Sequence, residues 1–282
     1  MTTVSCIITS FNNSLYIKEA IESVLSQTRV PDEIIVADDA STDGSRDIIQ
    51  SIAVNNKLVK PVFREKNLGV AANRDLAICG TRSDFITTLD GDDFYYPTKI
   101  EKEIVALDGH ASTITYSDYN RVNNDGTFSR LIDLDAFSRL NHMERIRHLL
   151  FTQMPVPRDM LIPKTVYEAA GRFIHGLNTY EDWDLKLRLA ALDSKWVHSG
   201  TTGMAYRKNK TGLSTSKKQE RLSTHLEIIS RNSDWLTKEL GQDAVGKALI
   251  KIVARDIGYR KITLSRKKRF DPFGFLSNEK IK

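Results

Sequence analysis

The opening third of the chain alternates between two hydrophobic periods, and that alternation limits it to few architectures. Val4–Ser10 is a short apolar run rich in β-branched residues, Glu33–Ala37 is a second, and Pro61–Arg64 and Phe85–Leu89 are two more. Between them apolar residues recur at helical spacing: Ile17, Ile21, Val24 and Leu25, then Ile48, Ile49 and Ile52, then Leu76, Ala77 and Ile78 beyond Gly69. Short apolar strands separated by amphipathic helices predict βαβ units, an α/β fold whose parallel sheet is covered on both faces.

Polar residues follow these strands. Ser10-Phe11-Asn12-Asn13 follows the first, Asp38-Asp39-Ala40-Ser41 the second and Asp90-Gly91-Asp92-Asp93 the fourth. Ligands of open parallel sheets gather at the carboxyl ends of strands. Two acidic clusters and an Asn-rich turn are therefore expected on one rim.

Beyond Asp93 the pattern loosens. A helix is predicted over Pro97–Leu107, a strand over Ser112–Ser117 and a hairpin or exposed loop over Val122–Arg130. A helix over Asn141–Phe151 precedes a link containing Pro155 and Pro157. Trp183–Leu192 reads as a helix, Trp196–His198 and Met204–Arg207 as two short strands, and the chain from Lys217 onward as helical. Gly212 and Ser214–Ser216 mark the break, which sets expected domains at 1–215 and 216–282.

Each acidic cluster supports two readings. Asp90-Gly91-Asp92-Asp93 is either a turn or a site where a hard divalent cation relieves the mutual repulsion of the carboxylates. Asp38-Asp39 opens a loop in which Ser41 or Thr42 caps the next helix and Asp43-Gly44 completes the turn, or it offers acceptor oxygens to a base or ribose. Glu181-Asp182 starts a helix, where the macrodipole favours acids by about 0.3–1 kcal/mol. The same place suits a general base, which contributes on the order of 10²–10⁴ in rate.

Taken in order and spacing, the clusters resemble family 2 inverting glycosyltransferases of the GT-A fold. The matching stretches are Thr9–Asn13, Val36–Gly44, Asn67–Arg74, Ile86–Asp93 and Glu181–Asp184, and the resemblance covers roughly residues 3 to 215. It implies a Rossmann-like, mostly parallel central sheet flanked by helices, with residues 1–95 as the nucleotide-binding half and 96–215 as the acceptor side. Thr9, Ser10, Phe11, Asn12 and Asp39 would hold the nucleotide base, most often uracil. Asp90 and Gly91 would lie by the ribose, and Asp92 would ligate Mn²⁺ or Mg²⁺ at the diphosphate. Asp182 would deprotonate the acceptor hydroxyl.

Arg74 reads either as a diphosphate contact or as a solvated helix-face arginine. Glu181, Trp183, His175 and Arg207 are assigned to the acceptor or phosphate side. Trp183 could stack on a sugar ring, though a tryptophan at a helix start is more often core, and Asn209 stands near the place where many relatives carry a histidine. Gln-x-x-Arg-Trp, the processive synthase motif, is absent from the sequence. The expected activity is single transfer from a nucleotide-sugar, with uracil the expected base, to a saccharide, lipid-linked or glycoprotein acceptor. The alternative is a nucleotide-sugar-binding or scaffold protein without turnover. An aspartate-nucleophile phosphatase fits poorly, since Phe94 stands where that chemistry needs Thr or Val. A NAD-dependent dehydrogenase lacks its Gly-x-Gly-x-x-Gly turn.

The charge of +5 is concentrated late: eight Lys or Arg and one acid, Asp256, lie between Lys251 and Arg269. Val245, Leu249, Ile252 and Val253 mark an amphipathic helix before Arg266-Lys267-Lys268-Arg269 and Phe270, Phe273 and Phe275. That tail suits an anionic membrane surface, with a solvated tail or a packing arm in a homo-oligomer as alternatives. No nucleic-acid-binding motif accompanies it. Cys6 and Cys79 sit in apolar stretches and read as two buried thiols. With neither a signal-peptide pattern nor a spanning apolar run in the sequence, a cytoplasmic protein is expected, with contact at the inner membrane face through the tail.

Overall fold

The computed structural model describes residues 2–151, 155–177, 179–192, 194–208 and 218–256. The chain divides into two compact units, Met1–Thr215 and Ser216–Lys282.

The first unit opens with β1 (Val4–Ser10), α1 (Ile17–Leu25), β2 (Glu33–Asp38), α2 (Ser45–Asn55), β3 (Val59–Phe63), α3 (Val70–Cys79) and β4 (Phe85–Asp90). All seven residues of β1 are buried, as a strand with apolar residues on both faces requires. It therefore lies centrally, parallel to β2 and β4. α1 buries Ile17, Ala20, Ile21 and Val24, its one apolar stripe. α3 departs from that simple pattern, burying Asn73, Arg74 and Asp75 in succession.

The chain continues through β5 (Phe94–Tyr95), α4 (Lys99–Val105), β6 (Ile114–Val122), β7 (Phe128–Ile132), α5 (Asp135–Ser138), α6 (His142–Phe151), β8 (Ile162–Pro163), α7 (Lys164–Ala169), α8 (Glu181–Ala191) and β9 (Trp196–Arg207). Two sheets result, in strand orders β3-β2-β1-β4-β8 and β5-β9-β6-β7. β6 and β7 form the expected hairpin. The two expected strands at Trp196–His198 and Met204–Arg207 are instead one, β9. It keeps pairing with β6 through register shifts beside Asp118, so the intervening Ser and Gly residues do not end it.

β8 runs antiparallel to β4, with Ile86 opposite Ile162. The segment entering β8 consequently lies beside the carboxyl end of β4. β5 follows Asp93 at once and pairs with β9, Phe94 opposite Ala205. The acidic turn after β4 is thus where the chain passes from one sheet to the other.

Cys6 is buried, and burial pushes its thiol up to about 12. Cys79 is exposed, contrary to the expectation of two buried thiols: it closes α3 on the helix's outer side.

In the second unit α9 (Lys218–Leu240) and α10 (Gln242–Asp256) form a helical hairpin turning at Gly241. Val245 and Ile252 of the expected amphipathic stripe are buried. The basic-aromatic tail at 266–275, Asn209 and the break at 212–216 lie outside the described residues. No helix among the described residues is long and apolar enough to cross a membrane.

Candidate active site

The turns after β1 and β2 lock together through side chains. Asn12 takes positive φ, which asparagine tolerates. Its N–H donates to Ser41 Oγ at 2.8 Å and its Oδ1 accepts from Thr42 N–H at 2.9 Å. Asn13 N–H donates to Ser45 Oγ and Ser14 N–H to Asp43 Oδ2. Asn12 is therefore engaged in shaping the rim, while Phe11 stands exposed on it.

Both acids after β2 are engaged within the protein. Asp38 is buried, accepts from Ser41 and pairs with Arg46 at 2.8 Å. Asp39 accepts N–H donors from Leu68 at 2.8 Å and Gly69 at 2.9 Å. Gly69 has φ of 85°, a conformation that side chains resist. The loop ahead of α3 is thus clasped to the β2 turn.

The acids after β4 are distributed differently. Gly91 donates its N–H to Thr9 O at 2.8 Å. A Cβ there would come within 2.9 Å of Thr9 O and of Asn13 Nδ2, so only glycine lets this turn press against β1. Asp93 is buried, and burial followed by the charge of Asp92 raises its carboxyl well above the usual range. Its Oδ1 accepts from Arg207 N–H at 2.7 Å. Asp92 is half-buried on the cleft wall, and its backbone O accepts from Arg207 Nε at 2.8 Å.

Arg207 also reaches Asn124 O and Glu19 Oε2, each at 2.6 Å, and lies over the Tyr16 ring. Its placement follows from the β5–β9 pairing. The guanidinium braces the acidic turn and also lines the cleft, a bracing role the motif around it did not announce.

Asp90 sits between the buried Arg74 and the half-buried Arg158. Arg74 of α3 bonds Asp90 Oδ1, Thr9 Oγ1 at 3.3 Å and Glu181 Oε1 at 2.9 Å. The reading of Arg74 as a solvated helix-face residue is corrected: it is 4% exposed, because α3 turns that face toward the strand ends. Arg158 approaches Asp90 Oδ2 at 3.4 Å and Asp93 Oδ2 at 3.8 Å, with its guanidinium 4.0 Å from the Tyr206 ring centroid. The sequence reading missed Arg158. The antiparallel entry into β8 delivers it, and a two-residue strand carries no periodic signal.

At the start of α8, Glu181 is buried on Arg74, whereas Asp182 is half-exposed and bonds Lys186 Nζ at 2.6 Å. Burial alone would raise the Asp182 carboxyl, but Lys186 and Arg158 outweigh it and hold the group well below the usual carboxylate range. Lys186 sits one helical turn on and is itself buried. Trp183 packs inward, its Nε1–H donating to Leu149 O at 2.7 Å. His175 bonds Asp75 Oδ2 at 2.7 Å, beside Arg172 and Tyr167 on the same carboxylate, and is absent from the cleft wall.

A cleft of about 970 Å³ collects these groups, with Ser10, Asp39, Arg74, Asp92, Arg158 and Asp182 on its wall. Ser10 Oγ, Arg74 Nε and Arg158 Nε are buried there without a hydrogen-bond partner. Polar atoms left so at a cleft suit a polar ligand. Among the described residues no group of three or more His, Cys, Asp or Glu gathers as a metal cage. The donor set does fit a cation of the Mg²⁺ or Mn²⁺ type, which takes one or two carboxylates and completes its shell from phosphate and water.

The profile of Glycosyl transferase family 2 matches residues 5–161, and the chain belongs to that family. The Bacillus subtilis protein TuaG, named as a teichuronic acid biosynthesis glycosyltransferase, is 33% identical over 124 residues, 44% of this chain and 49% of that one. An uncharacterized glycosyltransferase of Rickettsia felis is 29% identical over 188 residues, 66% of this chain and 31% of that protein. The chain thus spans between about a third and a half of the length of these curated relatives. The structure of Staphylococcus aureus TarS 1–349 superposes with a TM-score of 0.68 at 16% identity, covering 93% of this chain and 74% of that one. That likeness establishes the fold as GT-A.

Proposed function

We propose that the chain is an inverting, non-processive glycosyltransferase that moves a sugar from a uridine diphosphate sugar to a hydroxyl of a glycan, lipid-linked or protein-linked acceptor. One observation carries this reading: a single cleft joins the acid-bearing strand ends at Asp39 and Asp90–Asp92 to Asp182 at the start of α8. TarS, the fold relative, has been crystallised with UDP-GlcNAc and with UDP, which supports a nucleotide-sugar donor here.

Asp182 is the base. Its low pKa keeps it ionised, and it accepts the proton of the acceptor hydroxyl as the oxygen attacks the anomeric carbon. The nucleoside diphosphate leaves from the opposite face, so one displacement inverts the configuration, by the geometry that governs inverting glycosidases. Arg74 and Arg158, fixed before the substrate arrives, place positive charge beside Asp90, on the donor side. Asp92 would hold a divalent cation whose chemistry is to neutralise charge developing on the diphosphate. Residues 1–95 serve the donor and 96–215 the acceptor, with 216–282 as a basic helical extension suited to an anionic membrane surface.

The Asp182–Lys186 pair favours one alternative, a nucleotide-sugar-binding protein without turnover, because a paired carboxylate is less ready to take a proton. Thermal-shift measurements across nucleotides and nucleotide-sugars with Mn²⁺ test the donor site, since a ligand of the native state raises its melting temperature. A selective rise with uridine nucleotides is expected. An unchanged melting temperature with every nucleotide rejects the donor reading.

A further inference from the structure

The mixed sheet carries cations to which the donor side gives no role. Arg121 on β6 pairs in register with Tyr206 on β9 and, on its other side, with Arg130 on β7. Directly opposed residues project from the same face of a sheet. Arg121 and Tyr206 line the cleft, and Arg130 is exposed. The Arg121 guanidinium lies 5.8 Å from the Tyr206 ring centroid, and Arg158 lies over the same ring.

Arg158 already meets Asp90 and Asp93. Among the described residues Arg121 and Arg130 have no ion pair and no hydrogen-bond acceptor. Like charges placed directly opposite weaken a strand pair, so the Arg121–Arg130 opposition does not itself stabilise the hairpin. The strip also lies near the base. Burial raises the Tyr119 hydroxyl, and the charges of Arg158, Arg121 and Asp182 all act on that group. A guanidinium resting on an aromatic ring presents its fork of N–H donors to a planar or tetrahedral oxyanion.

We propose that Arg121 and Arg130, beside Tyr206, dock an anionic acceptor, a saccharide bearing phosphodiester or carboxylate groups, and so present its hydroxyl to Asp182. The inference rests on the transferase reading above and names the class of its acceptor.

Isothermal titration calorimetry on the full chain at low salt, with and without UDP, tests it. The probes are an oligo(glycerol phosphate), an oligogalacturonate and a neutral malto-oligosaccharide of matched length. At least one anionic probe binds roughly tenfold or more tightly than the neutral one, and the stronger of the two distinguishes phosphate from carboxylate. Arg121→Gln combined with Arg130→Gln lowers that preference to about twofold or less, whereas Arg121→Lys, which keeps the charge, retains most of it. Should the double variant fail to fold, Arg130→Gln alone, at an exposed position, lowers the preference measurably. Equal binding of all three probes, or an undiminished preference in the Gln variants, overturns the proposal. UDP titrated separately keeps the two readings apart. UDP binding without anion preference refutes the strip alone; absent UDP binding refutes the donor site, with the anion preference still read from the titrations lacking UDP.

Discussion

The acidic turns after β2 and β4 look alike in sequence and are built for different work. After β2, Asp38 answers Ser41 and Arg46, and Asp39 answers two backbone N–H groups of the loop before α3. After β4, Asp93 is buried against Arg207, Asp90 lies between Arg74 and Arg158, and Asp92 stays half-buried on the cleft wall. The difference comes from what each turn faces. The β2 turn meets a loop whose N–H groups need acceptors, while the β4 turn meets cations brought by α3 and by the segment entering β8. The donors that topology supplies, more than the acids themselves, decide whether a carboxylate holds the fold or faces a substrate. Glu181-Asp182 divides in the same way, Glu181 buried on Arg74 and Asp182 turned to the cleft.

The comparison breaks most visibly if a cleft-facing acid proves dispensable. Asp182→Asn is expected to cut transfer by at least ~10²-fold while leaving UDP-sugar affinity near that of the parent chain, read from steady-state rates alongside calorimetry. A fully active variant would remove Asp182 from the base role. Asp92→Ala is expected to abolish the part of donor affinity that chelation with EDTA removes from the parent chain. If EDTA still weakens binding in that variant, Asp92 is not the ligand.

The engaged turn should respond in stability instead. Asp39→Asn leaves an amide N–H₂ against one of the two backbone donors, at a cost of about 1–3 kcal/mol in denaturant unfolding. An unchanged midpoint would mean that the clasp on Leu68 and Gly69 contributes little. The smallest effect concerns pH. In Lys186→Gln the burial of Asp182 is opposed by fewer positive charges, so its pKa rises and the acidic limb of the kcat/KM profile moves to higher pH. An unmoved or lowered limb would show that Lys186 does not hold the base ionised.

Much of this was legible because the first four strands and their helices obey strong periods, and strand ends in a parallel sheet converge whatever their side chains. Asp39, Asp90 and Asp92 could accordingly be expected near one cleft, whereas only the family resemblance pointed to Asp182, at a helix start. Arg74 was ambiguous because a helix-face arginine reads the same buried or solvated until the sheet edge it meets is known. Arg158 gave no signal, since β8 is two residues long and the preceding segment has no repeat. His175 was drawn toward the site by its nearness in sequence to Glu181, but Asp75 on α3 holds it elsewhere. Arg207, assigned to the acceptor or phosphate side, does line the cleft, and the β5–β9 register gives it a bracing role at the acidic turn that its motif does not signal.

Turnover tests directly whether a donor rim and a base work together in this one cleft. Nucleotide release from a panel of UDP-sugars by the purified chain, with Mn²⁺ or Mg²⁺ and both neutral and anionic acceptors, is the decisive measurement. The prediction is release that requires a particular donor, rises with acceptor and falls to background in Asp182→Asn. Donor binding without release, across every donor and acceptor tried, would contradict it and leave a nucleotide-sugar-binding protein.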